Sequence, residues 1–415
     1  MGRRLRDFAQ QRISLLPMTQ HFLVKFADVI HLSTSRTADP LAAGIERYVG
    51  LEHIEPENLH IRSWGLVADG TTFTSTFKRG QVLFGKRRAY QRKVAVADFD
   101  GVCSSDIYVF ESKDPNVLLP ELVPFICQSE GFYDYAVKTS AGSLSPRTNW
   151  SHLANYEFPL PPLDEQHRIA NLLLASNNEL ESKRNLLIST RKLKNALLEE
   201  LFSKGVSEYR GKFRNTPVAN VPESWNSLII ADVARVVRGS TPRPAGDPRY
   251  FNGDFIPWIT VGELTKDDLP ILSSTATMLT EEGSKKSRLM QKGTVVLSNS
   301  GFSLGIPKIL GLTGCANDGV AAFLDLSELD EPLFLYYHLF RLTDYMRNVV
   351  AAGGDQPNLN TDRIGKIPIN LPNLDEQKKI VEILSNCDET IIELNNSIEK
   401  SKNLCFQLLR TVLKN

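Results

Sequence analysis

Two long stretches of the chain carry apolar residues at seven-residue intervals and contain no glycine or proline. The first follows Asp164 and continues up to Gly205, and the second follows Asp375 and continues to the last residue of the sequence. Apolar side chains at this spacing line one face of an α-helix and favour its pairing as a coiled coil. About 40 residues in the first stretch predict a helix of roughly 60 Å. The seam, on which we also expect partner docking, comprises Leu173, Leu180, Leu187, Leu201, Leu384, Ile391, Ile398 and Val412.

Polar residues in these stretches refine the prediction. Asp164 and Asp375 are of the type that caps helices, and we expect the helices to begin there. Asn177 and Asp388 occupy polar seam positions, which can fix the register of two helices at a cost in stability. Antiparallel pairing is expected. If the second domain lies at the end of the first helix, the second helix must run back toward the first domain. The linker after Gly205 is long enough to leave the other direction open, and ordinary packing of long helices on a globular core is the alternative.

The second stretch and the segment before it repeat the first. LPPLDEQHRIANLL, which begins at Leu160, returns as LPNLDEQKKIVEIL from Leu371, at an offset of 211 residues. Of 45 positions aligned without a gap, 12 are identical. The heptad positions coincide at this offset, and one of them holds Lys194 in the first copy and Cys405 in the second. The repeat extends over nearly the whole chain and indicates duplication of one half.

Each half follows the same plan. Short runs such as QVLFGKRRAY and GTVVLSNSG indicate strands of a mixed α/β globule. A proline-containing segment ends the globule, because a residue before proline is pushed out of helical geometry. We therefore predict an α+β fold in which two mixed α/β domains are separated by two long antiparallel helices that form a coiled coil, with a pseudo-twofold internal repeat. The predicted segments are 1–158 for the first domain, 159–205 for the first spacer helix, 206–370 for the second domain and 371–415 for the second spacer helix.

Composition limits the class of protein. The 415 residues, of which 42% are hydrophobic and 23% charged, indicate a globular protein of several domains. No run of about 18 apolar residues occurs, and the N-terminal MGRRLRDFAQQRISLLP is not typical of a secretory signal, so we expect a cytoplasmic protein without a membrane partner. Five scattered cysteines without a CxxC pair indicate neither a disulfide framework nor a zinc site. The formal net charge is zero, so any nucleic-acid surface must be local.

Motifs that would carry catalysis are absent from the sequence. It has no GxxxxGK[ST] phosphate loop, no GxSxG, no HExxH, no GxGxxG after a strand and no NPP[FY] or DPP[FYW] string. ESK strings at Glu111 and Glu181 are the nearest matches to the carboxylates and lysine of a nuclease, and such tripeptides are common. We predict that the chain has no catalytic residue, no metal site and no cofactor of its own.

Two basic stretches lie at corresponding places of the two halves. KRGQVLFGKRRAYQRK, from Lys78, has seven basic and no acidic residues, and Gly283–Lys308 has five basic and no acidic residues. Two polar loops follow later, SLSPRTN and GDQPNLN, and they differ as expected if each half reads its own sequence. Basic side chains can bind phosphates or guanine edges, and amide side chains can form hydrogen bonds to bases. An ordinary solvent-exposed charged surface would show the same sequence pattern. The residues expected to contact DNA are Lys86, Arg87, Arg88, Tyr90, Arg92, Lys93, Arg147, Asn149, Arg243, Asn299, Ser300, Lys308, Gln356, Asn358 and Asn360. Most of the basic residues of the first stretch are expected on phosphate, with Arg87 or Arg88 gripping a guanine.

The chain resembles the specificity subunit of type I restriction–modification systems (HsdS). The resemblance covers nearly the whole chain and rests on the PLPPLDEQ-type junction before each long helix, on the ADV strings at 27–29 and 231–233, and on GCAND at 314–318. It implies two target recognition domains that each bind half of a split double-stranded DNA site. It implies that the long helices act as a spacer and as the docking surface for two modification (methyltransferase) subunits, with two restriction subunits as further partners. S-adenosylmethionine, ATP and Mg are then expected on those partner subunits, and this chain is expected to be non-catalytic.

Two alternatives stay open from the residues alone. One is a non-catalytic adaptor scaffold whose helices and globular halves bind proteins, and the other is a DNA endonuclease with an unrecognised active site. Sequence-specific, salt-dependent duplex binding separates the recognition subunit from the adaptor. Metal-dependent cleavage by the chain alone would favour the nuclease.

Overall fold

A computed structural model describes residues 22–206, 211–301, 303–329, 331–351 and 358–412. The chain divides into two compact units, residues 1–182 with 398–415 and residues 183–397. Both long helices therefore contribute residues to each unit. No helix among the described residues combines the length and the apolar character that a membrane span requires.

Two sheets and a strand pair form the described part of the first unit's globule. The strands are β1 (Phe22–Lys25), β2 (Ile30–Leu32), β3 (Arg47–Val49), β4 (Gly65–Leu66), β5 (Ser75–Phe77), β6 (Val82–Gly85), β7 (Val94–Val96), β8 (Gly101–Cys103), β9 (Ile107–Ser112) and β10 (Glu157–Leu160). The sheet orders are β2-β9-β6-β7 and β4-β3-β8-β5, with β3 and β8 parallel, and β1 pairs with β10. The helices are α1 (Phe26–Val29), α2 (Val123–Gln128), α3 (Glu130–Lys138), α4 (Trp150–Leu153) and the long α5 (Leu163–Lys204).

The second unit repeats this plan in its described residues. Its strands are β11 (Phe213–Asn215), β12 (Asn220–Pro222), β13 (Asn226–Ile229), β14 (Arg235–Arg238), β15 (Phe251–Ile259), β16 (Ile271–Leu272), β17 (Met278–Leu279), β18 (Arg288–Met290), β19 (Val295–Ser298), β20 (Pro307–Leu310), β21 (Gly314–Ala316), β22 (Val320–Leu324) and β23 (Pro368–Leu371). The order β17-β15-β21-β18 matches β4-β3-β8-β5, and β14-β22-β19-β20-β16 matches β2-β9-β6-β7 with β16 as an additional strand. β13 pairs with β23 as β1 does with β10. The helices are α6 (Ile230–Val233), α7 (Val261–Leu264), α8 (Glu281–Ser284), α9 (Pro332–Arg341), α10 (Thr343–Tyr345), α11 (Thr361–Gly365) and the long α12 (Leu374–Val412).

A continuous apolar run places one strand of each unit between two cores. Successive side chains of a strand point to opposite faces of the sheet. In β6, Val82 therefore packs into one core and Leu83 into the other. In β19, Val295 and Val296 divide in the same way. Runs such as VLF and VVL are thus central strands that are covered on both faces, and they support the loops that follow them.

The long helices pair through the predicted seam. In the first unit Leu173 near the start of α5 shares a core with Leu408 and Leu409 near the end of α12. In the second unit Leu201 near the end of α5 shares a core with Leu384 near the start of α12. The helices are therefore antiparallel, and the predicted fold class is confirmed. The seam residues Leu173, Leu180, Leu187, Leu201, Leu384, Ile391 and Ile398 are all buried, while the side chain of Val412 lies outside the described ones.

Residues that precede the predicted caps begin the long helices. The prediction that Asp164 and Asp375 are N-caps is wrong, because both lie in the first turn of their helix. The side chain of Asn373 instead accepts a hydrogen bond from Glu376 N at 3.0 Å, and that bond satisfies one of the free N–H groups at the start of α12. The aspartates still favour the helices, because their charge lies at the positive end of the helix dipole.

A buried glutamine attaches the start of each long helix to its own globule. Gln166 is 1% exposed, and its Nε2 donates to Val117 O at 2.8 Å while its Oε1 accepts from Leu119 N at 2.9 Å. Gln377 is also 1% exposed and donates to Glu328 O at 3.0 Å. The repeated DEQ string therefore joins the helix to the globule, because a buried amide is stable only when its polar atoms are paired.

The first long helix ends where the sequence predicted. Gly205 follows α5 with a φ of +79°, and a Cβ at this position would lie 2.0 Å from Oε1 of Glu376. The left-handed backbone conformation therefore favours glycine, and a side chain here would also displace the carboxylate of Glu376. The division into segments 1–158, 159–205, 206–370 and 371–415 stays a prediction, since the two compact units each take part of both long helices.

A charged pair interrupts the apolar seam in the second unit. Lys194 and Asp388 are 4% and 6% exposed and form a salt bridge, and Tyr337 Oη donates to Asp388 Oδ2 at 2.7 Å. Burial and the neighbouring Asp388 raise the pKa of Tyr337, which keeps its hydroxyl protonated as a donor. Asn177, the counterpart of Asp388 in the repeat, bonds instead to His60 of its own globule at 3.0 Å.

Replacing Lys194 by Ala should lower the free energy of unfolding by about 3–5 kcal/mol, because Asp388 would stay buried without its cation. The double variant Lys194→Met, Asp388→Leu should regain most of that loss, since apolar side chains fill the seam without desolvating a charge. Urea unfolding followed by circular dichroism measures both changes, with Lys192→Ala as a control that removes an exposed lysine of the same helix. Wild-type stability in Lys194→Ala would contradict a structural role for the pair.

Candidate nucleic-acid interface

The basic stretch and the polar loop SLSPRTN, both predicted for the DNA surface of the first half, lie side by side. An isolated antiparallel bridge joins Arg87, in the loop after β6, to Arg147, in the loop before α4. Next to it Thr148 N donates to Lys86 O at 3.0 Å. Two stretches that are distant in the sequence therefore form one surface at the end of a central strand.

One carboxylate lies among the cations of this surface. Asp106 accepts from Arg87 Nη1 at 3.2 Å through Oδ2 and from Arg147 Nε at 2.9 Å through Oδ1. Burial opposes the charge of Asp106, but the hydrogen bonds from Arg147 and Arg87 outweigh it and lower the pKa of this carboxyl. Burial, together with the charges of Arg147 and Arg36, lowers the pKa of Lys86 against the opposing effect of Asp106. We call Lys86, Arg87, Arg88, Arg147 and Asp106 the first loop cluster, and it carries an excess of positive charge.

Three further predicted residues of the first half are accessible. Arg88 is exposed, has a φ of +55° and donates through Nη2 to Ser145 Oγ at 3.2 Å. Tyr90 is 55% exposed and follows Arg88 by two residues in the chain. Asn149 is exposed at the residue that precedes α4, and its side chain makes no capping bond. All three stay in the candidate interface.

Arg92 and Lys93, which were predicted for the same surface, are engaged inside the unit. Arg92 donates to both carboxylate oxygens of Glu130 at 2.6 Å and lies 3.8 Å from Glu57. Lys93 Nζ donates to Leu51 O at 2.6 Å. Their charges hold segments of the chain together, so we leave both out of the candidate interface.

The same backbone bridge recurs in the second unit. Ser300 and Asn358 form an isolated antiparallel bridge, at the places that Arg87 and Arg147 occupy in the first unit. Asn358 is exposed and Ser300 is half-buried. One backbone arrangement thus carries two arginines in one half of the chain and a hydroxyl with an amide in the other.

Two residues predicted to contact DNA in the second half are buried. Asn299 is 0% exposed, and its Nδ2 lies 3.5 Å from Asp318 O. Lys308 is 2% exposed, and its Nζ donates to Oδ1 of Asp267 at 2.7 Å. Neither side chain is accessible to a duplex, which corrects the prediction at these two positions.

The other predicted residues of the second half have different surroundings. Arg243 has a side chain 71% exposed, with Nη2 at 3.4 Å from Oδ2 of Asp318, whose Oδ1 accepts from Thr241 at 2.6 Å. Asn360 is exposed, but its Oδ1 caps α11 by accepting a backbone N–H at 2.8 Å. Gln356 lies outside the described residues.

Sequence reasoning missed the carboxylates Asp106 and Asp318. They lie in the turns that follow β8 and β21, which hold corresponding places in their sheets. The available signal was an aspartate in the same turn of both halves, in SSD and AND. Among the described residues, no group of three or more His, Cys, Asp and Glu side chains is placed to hold a metal ion.

The seam leucines hold the two helices together, so their side chains are not available to a partner protein. Other apolar residues of these helices face outward. Leu193 in the second unit is 55% exposed, and Leu404 in the first unit is 37% exposed. The two correspond at the repeat offset of 211 residues. Each unit therefore presents an equivalent exposed leucine on a long helix.

Comparison with known proteins finds similarity over both halves. The family model described as the type I restriction modification DNA specificity domain matches residues 58–190 and 222–401. The type I restriction enzyme MjaVIII specificity subunit of Methanocaldococcus jannaschii is 26% identical over 401 residues, which are 92% of this chain and 85% of that protein. The type I restriction enzyme EcoDI specificity subunit of Escherichia coli is 28% identical over 212 residues, which are 48% of this chain and 45% of that protein. The crystal structure of the type I restriction-modification system S subunit from M. genitalium has a TM-score of 0.60 at 15% identity, over 97% of this chain and 98% of that one, and shows the same fold.

Replacing Arg92 by Ala should lower the free energy of unfolding by about 1–3 kcal/mol near neutral pH, because a bidentate charged pair is lost. Hydrogen bonds from Arg92 lower the pKa of Glu130 below its ordinary value of 4.5. The stability that the pair contributes is therefore complete above that value and is lost as the pH falls through the lower pKa of the folded state. In urea unfolding the variant should differ from wild type most at about pH 7, and the difference should shrink as the pH falls below 4.5. Duplex affinity should not change, and a stable variant with weakened DNA binding would return Arg92 to the interface.

Proposed function

The chain belongs to the family of type I restriction–modification DNA specificity proteins, and on that basis we propose that it reads a bipartite duplex site, one half-site with each unit. It selects the sequence on which the enzymatic subunits of a type I complex act. Because the two halves of the chain differ in side chains, the site that they read is asymmetric.

The bridged loop pair of each unit is the observation that carries this proposal. In the first unit it presents Arg87 and Arg147, and arginine is suited to phosphate oxygens and to O6 and N7 of guanine. In the second unit the same backbone presents Ser300 and Asn358, and an amide side chain is suited to N6 and N7 of adenine. Two domains that recognise different half-sites require a common backbone arrangement with different polar side chains, and the bridged loops have this property.

Methyl transfer and cleavage belong, in this proposal, to partner subunits. S-adenosylmethionine is then bound by modification subunits, and ATP and Mg by restriction subunits. The support comes from the family and from a sequence that lacks the motifs of those reactions.

Docking of two modification subunits is assigned to the outward faces of the long helices. Leu193 and Leu404 are equivalent in the repeat and exposed, one in each unit. Exposed leucines on a helix are suited to pack against an apolar stripe of a partner helix. Two equivalent positions suit two copies of one partner.

Selection from a pool of duplexes with a random central region tests the function. The full chain should enrich a motif of two separated half-sites, with affinity that falls steeply as salt rises. A chimera that takes residues 1–158 from another specificity subunit should enrich a motif in which one half-site has changed and the other is kept.

The competing functions give different outcomes in the same assay. Enrichment of no motif would favour the adaptor scaffold. Methyl transfer from labelled S-adenosylmethionine, or cleavage with magnesium, by the purified chain alone would contradict a non-catalytic subunit. A chimera with both half-sites altered would contradict independent reading by the two units.

Leu193→Asp should reduce the number of bound modification subunits from two to one, because a buried charge disfavours that contact. Mass measurement of the assembled complex by light scattering reads this number, and Leu404→Asp should give the same result. Leu41→Asp is the control, since Leu41 is 62% exposed and lies in a turn of the first unit outside the proposed DNA interface. Duplex affinity of the isolated chain should be unchanged in all three variants. Full assembly of both helix variants would place docking elsewhere.

A further inference from the structure

Arg147 differs from its neighbours in which of its nitrogens are used. Its Nε donates to Oδ1 of Asp106 at 2.9 Å, and its side chain is 51% exposed. Neither of its terminal nitrogens, Nη1 and Nη2, has a hydrogen-bond partner among the described residues. The Nη groups of the guanidinium are therefore available as donors at the surface, while Nε is fixed by its hydrogen bond to Asp106.

Arg87 and Arg88 are less suited to read a base. Arg87 commits Nη1 to Asp106 at 3.2 Å and Nη2 to Ser145 Oγ at 3.1 Å, and its Nε is buried without a partner. Arg88 commits one Nη2 to the same Ser145 at 3.2 Å. A bidentate contact to O6 and N7 of guanine needs two donors in one plane, and Arg147 alone among these three arginines keeps both terminal groups available.

Asp106 determines where that free end points. Its two oxygens are taken by two different arginines, so the carboxylate is held from two sides and can hold Arg147 in turn. Ordering a long side chain before binding removes part of the entropy cost of recognition. Pairing with a carboxylate also lessens the net attraction of the arginine to phosphate, which favours a base contact over a backbone contact.

We infer that Arg147 reads a guanine of the first half-site and that Asp106 is the positioning residue that aims it. The inference rests on the proposed function and deepens it, since it assigns one base contact and the group that orients it. Arg147 replaces Arg87 and Arg88 as the expected guanine contact, and these two are assigned to phosphate.

The second unit repeats this pairing of a turn carboxylate with an exposed arginine, using other residues. Asp318 lies in the turn after β21, as Asp106 lies in the turn after β8. Its Oδ1 accepts from Thr241 at 2.6 Å, and its Oδ2 lies 3.4 Å from Nη2 of Arg243, which is 71% exposed. In the described part of each unit, the carboxylate in this turn is thus bound from two sides and pairs with an exposed arginine.

The test compares Arg147→Ala, Arg147→Lys and Asp106→Asn in the full chain by selection from the random duplex pool. Each is then titrated, over several salt concentrations, with the selected duplex, with one in which a single G·C pair is exchanged, and with a scrambled duplex. Asp98→Asn, which removes an exposed carboxylate of the same half, is the matched control.

Arg147→Ala should lose preference at one G·C pair of one half-site, with discrimination there falling by about 5- to 100-fold. Arg147→Lys should keep the salt dependence but not the discrimination, because an ammonium cannot form the planar bidentate contact. Asp106→Asn should also lose discrimination, yet bind the scrambled duplex more tightly, with a salt slope steeper by about one unit. A merely structural role for Asp106 would weaken binding to every duplex, and Asp98→Asn should leave the discrimination unchanged.

Three outcomes would overturn the inference. The first is that Arg147→Ala still selects the full motif. The second is that Arg147→Lys keeps full discrimination at the G·C pair, which would indicate a phosphate contact. The third is that Asp106→Asn weakens binding to all duplexes alike. If the wild-type chain enriches no motif at all, the proposed function fails first and this inference fails with it.

Discussion

Burial of the apolar seam on the two long helices is the constraint on which the rest of the structure depends. A helix of this length with leucine along one face is not stable alone in water, because its apolar face must be covered. Antiparallel pairing covers it, and Leu408 and Leu409 at the end of the last helix thereby complete the core of the first unit. The chain closes on itself, so each unit is built from residues of both halves of the sequence.

Duplication supplies equal positions, and the two units use them differently. Asp388 lies in the seam and binds Lys194 of the other helix, whereas its counterpart Asn177 turns to His60 of its own globule. The buried glutamines Gln166 and Gln377, in contrast, act alike in both units. A glutamine that attaches a helix to its globule recurs in both units, while a buried polar pair at a single seam position can fix the register of two helices.

In the proposed DNA-binding surface, too, the backbone arrangement is shared by the two units while the side chains differ. Central strands covered on both faces fix the loops, and the bridge between Arg87 and Arg147 recurs between Ser300 and Asn358. Base preference can change by substitution in these loops without disturbing the cores, because the exchanged side chains lie at the surface. A carboxylate in the neighbouring turn, such as Asp106, converts a mobile arginine into an ordered one.

The sequence by itself determined the repeat, the two long helices and their seam, because periodicity and offset are properties of the order of residues. It also named the basic stretch from which the interface is built. Only the tertiary structure decided which of those cations are available. Lys308 is buried on Asp267, Arg92 is held by Glu130, and Arg147 keeps its outer donors because Asp106 takes the inner one. Burial and pairing depend on residues far apart in the chain, so local composition cannot reveal them.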